Sequence, residues 1–197
     1  MKVWRIVCQK LLILNIFILP QIGHIQNISL KKRIHQNVEI PNFQAELELA
    51  YGDLGDYSAS PNSTLLFFEY VSYMLVKKDG STALCHLHIG DIVSFNTEEP
   101  GDSFAIIQTI FYHQKNNHRF TFIIVDWLEN TNQTMLDCPI YRLQTVANRR
   151  KIFSITLVNT INEVHFVHLC KEDCIRGNHN FRNNLYMRNL YFFKYTF

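Results

Sequence analysis

From residue 65 onward the chain is a succession of short apolar runs divided by polar turns, and this punctuation restricts the fold more than any other feature. The runs cover residues 86–89, 91–95, 104–112, 120–127, 152–158 and 164–169, with a last aromatic run at 186–195. Aromatic and β-branched residues dominate them, and these side chains suit a pleated, half-buried surface. Residues 65–76 read as a strand or a short helix, and Asp79-Gly80 just beyond is a hairpin signal between two apolar runs. No long helical period competes. Short strands at this spacing predict a mostly β protein, a small barrel or sandwich with short helices. Fifteen Phe, nine Tyr and only seven Gly in 197 residues favour the same class.

The first third of the chain has a different texture. Lys2, Arg5 and Lys10 precede an apolar stretch over residues 11–19 that ends at Pro20. This has the outline of a secretory signal, although Gln21-Ile22-Gly23-His24 lacks a small-x-small cleavage pattern. The stretch is too short to span a bilayer as a helix, so no stable membrane span is expected. Residues 24–64 are polar, without sustained periodicity. Residues 1–83 therefore read as an irregular N-terminal extension, and 84–197 as the β domain. Asn27, Asn62 and Asn132 each begin a glycosylation sequon. Together with the basic-apolar start, they keep open a small secreted β protein as an alternative.

Composition narrows function by exclusion. Hydrophobic residues make up 47% and charged residues 18%, which is a folding composition. A formal net charge of +2 supplies no broad basic face for phosphates. The local candidates for nucleic-acid contact are Arg149, Arg150, Lys151, Arg182 and Arg188. There is no Gly-rich phosphate loop, no Gly-x-Ser-x-Gly elbow and no His-Glu-x-x-His helix. The expectation is a non-enzymatic binding module. Five irregularly spaced Cys do not make a disulfide scaffold and fit a reducing compartment.

A family pattern begins at Gly90-Asp91-Ile92-Val93. It continues through Phe104-Ala105-Ile106-Ile107-Gln108-Thr109-Ile110-Phe111 and Phe122-Ile123-Ile124-Val125-Asp126-Trp127-Leu128-Glu129. Ile152-Phe153-Ser154-Ile155-Thr156-Leu157-Val158 and Val164-His165-Phe166-Val167-His168 complete it. In order and spacing these segments resemble the BAH (bromo-adjacent homology) domain, over somewhat more than half the chain. The resemblance implies a barrel-like core that binds histone tails or other chromatin proteins in the nucleus. Some BAH domains hold trimethyl-lysine in an aromatic cage by cation–π attraction. The matching positions are Phe104, Trp127 and Glu129. Glu129 departs from the pattern, because an aromatic stands there in known readers. A carboxylate at that position favours a less methylated lysine.

The densest set of potential metal ligands is C-terminal: His168, Cys170, Cys174 and His179. Alternate strand residues share a face, so His168 and Cys170 point the same way. Two thiols and two imidazoles suit tetrahedral zinc. Residues 80–197, purified reduced, are expected to carry one zinc per chain by metal analysis, lost on Cys174→Ser. A metal-free protein would remove the zinc reading and favour secretion.

Overall fold

The computed structural model describes residues 23–34, 40, 42–55, 65–77, 79–95, 103–115, 118–144, 149–159, 165–170 and 185–191. The signal-like stretch, Asn62, Cys174, His179 and Arg182 lie outside them. Eleven strands and one α-helix follow in chain order: β1 (Gly23–Ile34), α1 (Phe43–Gly52), β2 (Leu65–Lys77), β3 (Thr82–His88), β4 (Ile92–Phe95), β5 (Ser103–Lys115), β6 (His118–Met135), β7 (Cys138–Leu143), β8 (Ile152–Ser154), β9 (Val158–Asn159), β10 (Phe166–Leu169) and β11 (Leu185–Arg188). A 3-10 turn, Ile155–Leu157, joins β8 to β9. The protein is mostly β, as its sequence predicts. All pairings are antiparallel, in the order β1-β2-β5-β6-β7-β11-β10. The sheet is open: among the described residues no pairing joins β1 to β10, so no closed barrel forms.

The N-terminal part is more regular than its polar composition suggests. β1 and β2 pair along most of their length, and the 83/84 division falls inside β3. α1 buries Leu47, Ala50 and Tyr51, an i, i+3, i+4 stripe. That stripe packs on Phe111, Phe122, Ile124 and Ile152. A helix with this narrow an apolar face holds only against a sheet, which is why its sequence reads as irregular in isolation.

β5 and β6 form the longest ladder, with a bulge between Ile107 and Thr109. Both faces are buried. Ala105, Ile107, Ile110, Ile123, Val125 and Trp127 meet β2, β3, β4 and the segment from β8 to β9 in the largest core. The other face meets α1 at one end and an aromatic layer at the other, where Phe104, Ile106 and Leu128 pack on Tyr141 and Tyr186.

Polar groups fix α1 in place. The Glu46 carboxylate accepts hydrogen bonds from the backbone N–H of Lys151 (2.8 Å) and Ile152 (3.1 Å). The Arg150 guanidinium donates through Nη1 to Asp53 Oδ1 at 3.1 Å and through Nη2 to Asp53 Oδ2. Its Nε donates to the Ile152 carbonyl at 2.9 Å. Arg150 is buried, so removing its carboxylate strands a cation away from water. Asp53→Ala is expected to lower stability by about 3 kcal/mol, read as a drop in urea midpoint at unchanged slope. Adding Arg150→Met should recover most of that loss.

Candidate functional site

Phe104 and Trp127, which the BAH resemblance pairs as walls of one cage, lie on opposite faces of the sheet. Trp127 stands opposite Ala105 in the β5–β6 ladder and shares its face. Phe104 is the next residue along the strand and points to the other side. Trp127 packs between Phe95 (5.3 Å between centroids) and Phe153 (5.6 Å), and its Nε1 donates to the Arg150 carbonyl at 2.6 Å. Glu129 is tied across the β6–β7 ladder by Arg142 Nε at 2.5 Å. Phe104, Trp127 and Glu129 therefore do not line one cavity. Strand alternation separates what linear order placed together.

Phe104 joins a different aromatic group, which the resemblance does not point to. Its ring meets Tyr141 at 5.5 Å and Phe166 at 5.2 Å, and Tyr141 meets Phe166 at 5.3 Å, all edge-to-face. Tyr186 is paired with Tyr141 on one side and His168 on the other, which extends the layer across β7, β11 and β10. The Arg188 guanidinium lies 4.8 Å over the Phe104 ring. Edge-to-face rings turn their partial negative faces towards neighbouring partial positive edges, so a cation seated on such a face is attracted.

The other basic candidates are also engaged by the chain itself. The Arg149 guanidinium stacks 3.9 Å over the Trp127 ring, and its Nη2 donates to Ser103 Oγ at 3.4 Å. Arg150 serves Asp53 and lies 4.4 Å over Phe153. Lys151 Nζ meets Asp126 Oδ1 at 2.9 Å. Four of the five proposed phosphate contacts thus have internal partners, and Arg182 is outside the described residues. The run Arg149-Arg150-Lys151 is shaped by packing and ion pairing rather than as one exposed stripe.

His168 and Cys170 do come together, with Nδ1 and Sγ 3.4 Å apart. Two such ligands on a tetrahedral zinc stand about 3.6 Å apart, given bonds of about 2.1 and 2.3 Å, so this half of the expected set fits the ion. Among the described residues no group of three or more potential metal ligands occurs. Of the sequons, Asn27 and Asn132 are exposed. No helix among the described residues is long and apolar enough to cross a membrane.

A buried cluster escaped the sequence reading altogether. Tyr51 of α1 and His113 of β5 share a 2.6 Å hydrogen bond between Oη and Nδ1, and Lys115 Nζ lies 4.7 Å over the Tyr51 ring. Tyr, His and Lys side by side are acid–base chemistry in principle. Here Tyr51, His113 and Lys115 are buried, and their hydrogen bond and cation–π contact tie α1 to β5. The i, i+2 spacing of His113 and Lys115 was the available signal, but their helical partner was invisible.

The chain matches no family model, no curated protein and no solved structure.

Burial, reinforced by the Lys115 charge, holds the His113 imidazole below its ordinary value of 6.5. The unfolded chain then binds a proton at a pH where the native protein does not. The stability from this group is complete above about pH 6.5, falls as pH drops below that value and levels off below the native pKa. Urea midpoints measured from about pH 7.5 to 5 should fall more steeply for the wild type than for His113→Gln. Parallel profiles would show that His113 carries no such linkage.

Proposed function

We propose that this chain is a non-enzymatic binding module for a chromatin protein, foremost a histone tail, and that it acts in the nucleus. The carrying observation is the Arg188 guanidinium on the aromatic group of Phe104, Tyr141 and Phe166. That group already receives a delocalised cation. A methylated ammonium resembles guanidinium in being bulky and weakly hydrated, so exchanging one for the other costs little desolvation. Arg188 and Phe166 are half-buried, which leaves a route to the Phe104 face once Arg188 swings away. The partner class comes from the BAH resemblance, and the cation site comes from the rings. Zinc on His168 and Cys170, with Cys174 and His179 as the further ligands, would brace β10 and β11 beside this site.

The reading is tested by fluorescence anisotropy with a histone-tail peptide carrying trimethyl-lysine, and with its unmethylated form. The methylated peptide should bind more tightly. Arg188→Ala should strengthen that binding by about tenfold, because the internal competitor is gone. Phe166→Leu, which keeps bulk and loses the ring, should weaken it. Equal affinity for both peptides, unaltered by Arg188→Ala, would sink the proposal.

A further inference from the structure

We infer that the outer edge of β3 is a docking site for an extended acidic segment of another protein, added to the sheet as a further strand. β3 runs beside β2 from Tyr70↔His88 to Val76↔Thr82. Among the described residues it pairs with no other strand. An edge strand turns part of its backbone N–H and C=O groups outward, ready to bond a new strand.

The two long edges of this region are built differently. β1 carries a bulge between Gln26 and Ser29, left-handed residues at Asn27 and Lys32, and the charges of Lys31, Lys32 and Arg33. These are the devices by which an edge repels unwanted pairing. The β3 sequence Thr82-Ala83-Leu84-Cys85-His86-Leu87-His88 has no bulge, no Pro and no Lys, Arg, Asp or Glu. Leu84 stands 62% exposed in its middle. The basic cluster at Lys31–Arg33 thus reads as protection of one edge, and β3 is the edge left receptive.

The neighbouring face indicates what the incoming strand carries. Cross-strand rows across β1, β2 and β3 are Lys31–Tyr70–His88, Ser29–Ser72–His86, Gln26–Met74–Leu84 and His24–Val76–Thr82. They hold an ammonium and three imidazoles but no carboxylate. Tyr70 stacks on His88 at 5.0 Å, and Ser72 Oγ lies 2.8 Å from His86 Nδ1, so both imidazoles are held in place. The outward backbone of His88 is already used, its N–H donating to Asp91 Oδ2 at 2.7 Å and its C=O accepting from the Asp91 N–H at 3.1 Å, so an added strand pairs along Thr82–Leu87 and sets alternate side chains next to Thr82, Leu84 and His86 on this outer face. The intervening ones lie next to Ala83, Cys85 and Leu87 at the rim of the main core. Carboxylates suit the first set and apolar side chains the second. A second copy of the chain would instead bring this same carboxylate-free face beside itself. The inference uses no residue of the aromatic group and stands or falls separately from it.

The experiment uses the full chain and a fluorescent peptide of alternating Val and Glu. Two controls accompany it: the peptide with Lys in place of Glu, and the Glu peptide with alternate backbone nitrogens methylated in each register. The parent peptide should bind saturably and slow hydrogen exchange within residues 82–87. Both controls should bind about tenfold more weakly or worse. Leu84→Glu, at an exposed position, should cost about tenfold, whereas Leu84→Lys should not. Three results would overturn the inference. These are no binding, full binding of both methylated peptides (charge without strand addition), or a dimer that Leu84→Glu dissociates while the peptide has no effect.

Discussion

The pairing of β5 with β6 removes apolar side chains from water on both sides of the sheet at once. Each large side chain so buried contributes roughly 1.5–3 kcal/mol, which makes this ladder the main source of stability. It also dictates what else must be present, since a strand pair buried on two faces needs cover on both. β2, β3 and β4 supply it through Val71, Tyr73, Leu87, Val93 and Phe95 on one face. On the other, α1 covers Phe111 and Phe122, while β7 and β11 cover Phe104 and Leu128. The bulge at Ile107/Thr109 shifts the alternation, so that Ala105 and Ile107 share the main core with Ile110.

Cations finish this cover where hydrocarbon does not reach. The guanidinium is planar and weakly hydrated, so it can lie on a ring or enter a partly dry site at lower cost than an ammonium. Arg149 lies on Trp127, Arg150 on Phe153 and Arg188 on Phe104. The one lysine of the basic run, Lys151, finds its carboxylate at a half-exposed site instead. Aromatic residues and arginines that look like two separate functional sets in the sequence are therefore partners in the structure.

β5 and β6, with their neighbours β4 and β8, were legible because apolar runs bounded by polar turns have few other solutions. Three features were not. β1 reads His24-Ile25-Gln26-Asn27-Ile28-Ser29-Leu30, and the bulge after Gln26 breaks the period-two pattern just where it is being established. α1 shows its stripe only as Phe43, Leu47, Ala50 and Tyr51, among polar residues and after Asn42, which makes no side-chain cap. β7 was missed because the turn before it is Leu136-Asp137, both at positive φ, where the hairpin code expects Asn-Gly. The candidate sites were less legible still. Whether Phe104 and Trp127 face each other depends on register, and register is set by long-range pairing that no local pattern reports.

The three arginine–ring contacts differ in what holds them. Arg150 is buried, bonded to a carboxylate and a carbonyl, and joins α1 to the sheet. Arg149 caps Trp127, whose indole N–H is itself committed to the Arg150 carbonyl, so the two arginines act on one corner of the fold. Arg188 belongs to the short terminal pair of β10 and β11, far along the strand order from α1, and is only half-buried. A cation–π contact contributes about 0.5–2 kcal/mol, well below the cost of stranding a buried charge. On the proposed reading, exchange of the guanidinium at Phe104 would leave the Arg150–Asp53 pair, and with it the attachment of α1, untouched. The chain has built the same contact three times, twice at the corner that holds α1 and once beside the terminal pair of β10 and β11.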